Sequence, residues 1–146
     1  LHSPYTLSLH DALPILSRIL TRFSLRRVLM ASFLLAALRW LLLGAFAEFF
    51  WVLLLAQVMH AATFGSFHAA AIAFVQRSFG ARQQGQGQAL YAALAGTGGA
   101  LGALYAGYSW NLLGPTLTFS IASVAALAAA LIIGFRLHEQ NQGTVL

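Results

Sequence analysis

The chain has 146 residues, of which 60% are hydrophobic and 8% charged, and its mean hydropathy is +0.78. A soluble domain carries about a quarter charged residues to keep its surface wet. Eight basic and three acidic side chains are too few for that, so an ordinary soluble domain is excluded and lipid becomes the expected solvent. All the basic residues are Arg, set mostly at the ends of apolar runs rather than in a patch, which argues against nucleic-acid binding. With no Cys, disulfides and thiolate metal sites are excluded as well.

Residues 1–15, LHSPYTLSLHDALPI, hold two of the five His, two of the three Pro and one of the three acids, with no helical period. The string looks like translated sequencing-adapter sequence, so the expectation is a non-native leader. It is not a signal peptide, since it lacks a basic start and Asp11 and Pro14 interrupt its apolar stretch. The chain has no initiator Met and reads as truncated on its N-terminal side.

A basic loop is expected over residues 16–27, followed by four apolar spans at about 28–47, 50–78, 89–110 and 115–137. Each reaches the ~20 residues that cross a ~30 Å hydrocarbon core. Unpaired backbone groups are not tolerated in lipid, so such spans must be helices, and the alternation of a barrel strand is absent. Pro115 suits the first turn of the fourth, where its missing N–H costs nothing. The expected fold class is therefore all-α integral membrane, with a short tail at 138–146.

Arg18, Arg22, Arg26 and Arg27 precede the first span, Arg77 and Arg82 separate the second from the third, and Arg136 ends the fourth. The turns around Glu48 and Asn111 carry no basic residue. By the positive-inside rule both ends of the chain are expected in the cytoplasm, with two short turns outside.

Polar groups at membrane depth are expensive and tend to be functional. On the second span Gln57, His60, Phe64, Phe67, His68 and Ala71 fall on about a third of the helix circumference. His60 and His68 are ~12 Å apart along the axis and straddle the centre of the span. Imidazole suits proton handling because its ordinary pKa is ~6.5, and a helix-packing stripe is the competing explanation. The two His are too far apart to share one metal ion, so no metal is expected.

Arg39, two thirds along the first span, reads as structural, either snorkelling outward or pairing with an acid beyond this sequence. Gln88 and Tyr91 share a face of the third span that points to the same cavity as His60, although Tyr91 also fits an interfacial anchor. Ala95, Gly98, Gly99, Gly102, Ala103 and Ala106 make a small-residue face suited to close helix packing. No nucleophile–base set, phosphate loop or paired carboxylates can be assembled. Neither an enzyme nor a bound cofactor is expected.

The run from His60 to Trp110, with its H-x-x-T-F-G-x-F-H-x-A and G-Q-A-L-Y strings, resembles the phenylpropionate permease group of the major facilitator superfamily. The similarity extends back to about residue 16 and on through LGPTLTF to about residue 137. The resemblance implies a twelve-helix fold, of which these spans are helices nine to twelve, with the N-terminal helices missing. It implies that the second and third spans line the central cavity. It also places residues 17–27 in a basic loop, where Arg22, Arg26 and Arg27 match the family pattern. Thr21 stands where that pattern has an acid, and Ser17 and Ser24 replace its glycines.

The expected function is part of a secondary transporter in an inner (plasma) membrane, moving a small organic solute such as an aromatic acid with a proton. A nucleoside or sugar symporter of the same superfamily and a non-transporting four-helix scaffold are the alternatives. The candidate solute and proton pathway comprises His60, His68, Gln57, Phe64, Gln88 and Tyr91.

Overall fold

The computed structural model describes residues 22–142, with side chains described as far as residue 136. The leader 1–15, the first part of the basic loop with Ser17, Arg18 and Thr21, and residues 143–146 lie outside the described residues. Regular structure among the described residues is helical: α1 (Leu25–Phe46), α2 (Phe50–Ser78), a 3-10 turn (Ala81–Gln83) and α3 (Gln84–Gln142).

α1 starts three residues before the expected position 28 because Ser24 caps it. Its side chain accepts a hydrogen bond from the Arg27 N–H at 3.4 Å, satisfying one of the donors a helix start leaves free. Ser24 thus has a local structural use.

Three helical elements are long and apolar enough to cross a membrane, Leu25–Phe46, Phe50–Ser78 and Ala81–Arg136, so the expected count of four separate spans is matched only in part. The stretches expected at 89–110 and 115–137 run together because no loop divides them. Only Gly114 leaves helical geometry, at φ 75° and ψ 171°, a conformation open essentially to glycine alone. Drawn out straight, 56 residues would extend ~84 Å, nearly three times the hydrocarbon core.

The element does not run straight. The Tyr105 hydroxyl donates to the Thr118 carbonyl at 2.9 Å, and the Trp110 and Phe119 rings meet edge to face at 5.9 Å. In a straight helix Tyr105 and Thr118 would stand ~20 Å apart. α3 is therefore a hairpin with a leading arm, 84–113, and a returning arm, 115–142, that opens on Pro115. The returning arm carries the first five residues of the expected tail, 138–142, as helix.

α1 lies between α2 and the returning arm and is antiparallel to both. Ser32 and Ser66 hydroxyls meet at 3.1 Å across α1 and α2, and Phe33 packs edge to face on Phe67 at 5.3 Å. On the other side, Thr116 Oγ1 donates to the Gly44 carbonyl at 2.9 Å and Ser123 Oγ to the Ala37 carbonyl at 3.0 Å. Small residues permit this approach. A Cβ on Gly44 would come within 3.1 Å of Phe119 Cβ and 3.2 Å of the Thr116 carbonyl oxygen. Helix association in lipid rests on such packing, with hydrogen bonds of ~0.6 kcal/mol each on average. Other hydroxyls, Thr63, Thr97, Ser109 and Ser120 among them, bond carbonyls of their own helix, which satisfies their O–H groups without a partner from lipid.

This antiparallel order gathers Arg22, Arg26, Arg27, Arg77, Arg82 and Arg136 at one end of the bundle, and Glu48 and Gly114 at the other. The leading arm is the least covered element. Gly96, Gly98, Gly99 and Gly102 have nothing within 4 Å of a built Cβ, so the small-residue face expected to pack a helix carries no neighbour among the described residues.

Candidate functional site

The first turn of the leading arm decides what α2 can reach. Gly87 is buried against the C-terminal end of α2, where a Cβ would fall 2.7 Å from the Phe79 ring and 2.8 Å from Val75. With only hydrogen there, the two backbones come close. One turn further, Tyr91 lies on the same face and reaches His68, with Oη 2.8 Å from Nδ1 and ring centroids 5.5 Å apart. Gly87 is not among the residues expected to matter. The signal for it is Gly85 and Gly87 together just inside a helix start, where glycine lowers helix propensity without capping anything.

From His68 the ring series continues along α2. Phe64 stacks on His68 at 6.0 Å with 8° between planes, and His60 lies 5.7 Å beyond Phe64. Phe64 is the midpoint of α2, so His60 and His68 sit about ~6 Å to either side of mid-helix. The α1-facing side of α2 is instead carried by Ala56, Met59, Thr63 and Ala70. His60, Phe64 and His68 are exposed beside that contact, not within it.

His60 borders a groove of about 160 Å³ between α1 and α2, shared with Arg39, Thr63, Phe33, Phe64 and Phe67. Arg39 does not snorkel freely outward. Its guanidinium carbon sits 4.0 Å over the Trp40 ring and its Nε is buried. Tyr91 meets His68, eight residues along α2 from His60, so the expected common cavity of Tyr91 and His60 is spread along the ring series. Gln57 and Gln88 are both exposed, at opposite ends of this arrangement.

Chemically, the series offers alternating imidazole and aromatic surfaces with a phenol at its Arg-rich end. An imidazole–phenol hydrogen bond can pass a proton in either direction, since each ring nitrogen can donate or accept. No group of three or more His, Asp or Glu able to hold a metal ion occurs among the described residues.

The sequence model of the MFS_1 like family matches residues 11–121. That is well over half of the chain. The chain belongs to the MFS_1 like family. It is thereby a multi-pass membrane protein of the major facilitator superfamily, a superfamily of transporters. The match takes in α1, α2, the leading arm and the start of the returning arm, and so the whole ring series. It begins inside the leader, at residue 11 rather than 16, and stops within the returning arm, short of 137. No curated protein and no solved structure matches.

Proposed function

We propose that this chain of the MFS_1 like family is part of a secondary active transporter. It carries a small organic solute, such as an aromatic acid, together with a proton by alternating access. α3 is read as two crossings folded at Gly114, which gives four spans with the Arg-rich end in the cytoplasm. The observation that carries the reading is the run His60–Phe64–His68–Tyr91. It brings proton-exchanging and ring-binding groups to mid-membrane depth, where transporters of this kind hold their solute. A scaffold has no need of imidazoles there, and each costs free energy at that depth.

The bare small-residue face of the leading arm supports a further inference about context. It is shaped for close helix contact and belongs to a longer chain whose other helices cover it. The alternating-access cavity then forms between α2, the leading arm and those helices.

The test is uptake by the full-length protein, normalised to the amount inserted in the membrane and taken across about pH 5 to 8, where imidazole titrates. His60→Ala is expected to cut proton-driven uptake about a hundredfold or more while leaving abundance near wild type, in the range removal of a positioned proton-transfer group produces. His68→Ala is expected to act in the same direction and more weakly, since it lies closer to the Arg-rich end. Normal uptake by His60→Ala with an unchanged pH profile would reduce the series to helix packing.

A further inference from the structure

The groove between α1 and α2 joins two features that the ring series alone does not explain. Its lining includes Phe33, Phe64 and Phe67, with Phe33 and Phe67 edge to face at 5.3 Å. The same lining includes Arg39 from α1 and His60 from α2. The Arg39 guanidinium carbon lies 4.0 Å from the Trp40 ring centroid. A guanidinium is a planar fork of N–H donors, the geometry that grips a carboxylate with two parallel hydrogen bonds. Its Nε is buried and bonds nothing among the described residues.

Neighbouring polar groups are already committed. Thr63 Oγ1 donates to the carbonyls of Met59 and His60 at 2.8 and 3.1 Å, and Ser32 Oγ donates to the Val28 carbonyl at 2.9 Å. Among the described residues no acidic one lines the groove, and Glu48 lies in the turn that joins α1 to α2. A low local dielectric beside aromatic side chains strengthens the attraction of a guanidinium for an anion. A permanent cation at this depth needs an opposite charge or a hydrogen-bonding partner.

We propose that Arg39 and His60 form a carboxylate-binding site, Arg39 gripping both oxygens and His60 donating a third hydrogen bond. The proposal rests on the transport reading of the α2 stripe and adds to it the residue that takes the anionic end of the ligand. The carboxylate comes either from the solute or from an Asp or Glu of another helix of the same protein.

Trp40 is a built-in reporter, because an anion drawn to the guanidinium changes the charge lying on its ring. The experiment titrates the purified full-length protein with benzoate and, separately, with neutral benzamide. The Trp40 signal is taken as the fluorescence difference from Trp40→Phe. Benzoate is expected to give a saturable change and benzamide one at least about tenfold weaker, matching loss of a charge-assisted hydrogen bond. Arg39→Gln should weaken the benzoate response by a similar factor, Arg39→Lys by less because charge is kept and only the fork is lost, and His60→Gln by a few-fold. This set assigns the carboxylate to the solute.

If another helix supplies it, benzoate changes nothing. Arg39→Gln then lowers the amount of protein in the membrane until one Asp or Glu elsewhere in the chain is neutralised. The proposal is overturned by equal responses to benzoate and benzamide. It is also overturned by an Arg39→Gln protein with wild-type abundance and wild-type benzoate response. A loss of abundance that no such second change restores, with no benzoate response, overturns it too. Reduced uptake by His60→Ala alongside any of these results would leave the transport reading standing and remove only the site.

Discussion

Through the hydrogen bond between His68 and Tyr91, at 2.8 Å, a stripe residue of α2 meets the leading arm by its polar group. Its value is chemical rather than energetic, since side-chain hydrogen bonds between helices in lipid average only ~0.6 kcal/mol. Tyr91→Phe keeps the ring against His68 and removes only the hydroxyl. We expect membrane abundance and thermal stability to stay near wild type while the pH profile of uptake changes, as read in proteoliposomes. A drop in stability with an unmoved profile would make Tyr91 an anchor. The stripe itself was legible in the sequence because i, i+4, i+8 spacing of His60, Phe64 and His68 fixes a helix face without reference to neighbours. The partner of each stripe residue was not legible. Whether Tyr91 meets His60 or His68 depends on the register between two helices, and that register is set by Gly87 and Phe79. Arg39 was read as structural for the same reason, because its place beside His60 follows from how α1 docks on α2.

At the scale of the element, glycines determine where helices meet and where they turn. Gly87 allows the leading arm to touch Phe79 and Val75, whereas Gly85, two residues earlier, has nothing within 4 Å. Gly87→Ala is expected to destabilise the protein by ~1–3 kcal/mol, the usual cost of overpacking, and to lower uptake by parting Tyr91 from His68. Gly85→Ala should be silent or slightly stabilising. Thermal melts and uptake of the two variants decide it, and equal behaviour would show that the close approach at Gly87 is unimportant. The helical state of every long element was readable from length and composition, since lipid leaves the backbone no alternative. How the stretches at 89–110 and 115–137 are joined was not. Asn111–Pro115 looks like a loop by composition, yet a single residue with φ 75° makes the whole reversal. Element boundaries at Leu25 and Gln84 depended similarly on a cap and a 3-10 turn.

At the scale of the whole molecule, the antiparallel packing and the charge at its ends make one statement about orientation. Six Arg residues share the end at which α1 begins and α2 ends, and the proposed orientation, argued from the positive-inside rule, has that end in the cytoplasm. Single cysteines near Gly85 are expected to label only from the cytoplasm and those near Asn111 only from outside. Labelling of both from one side would mean that the leading arm does not cross. The central claim is that the α2 stripe lines a water-accessible pathway rather than a lipid-facing or packed surface. The chain has no native Cys, so introduced thiols in it report without background from these residues. The most direct measurement is the reaction of Gln57→Cys, Phe64→Cys and Ala71→Cys in the full-length protein with a small, membrane-impermeant thiol reagent. Val58→Cys, about 130° around the helix from the stripe centre at 100° per residue, is the comparison. The account predicts that the stripe cysteines react, Phe64→Cys included despite its mid-helix position, and that Val58→Cys does not. Stripe cysteines as unreactive as Val58→Cys would contradict it.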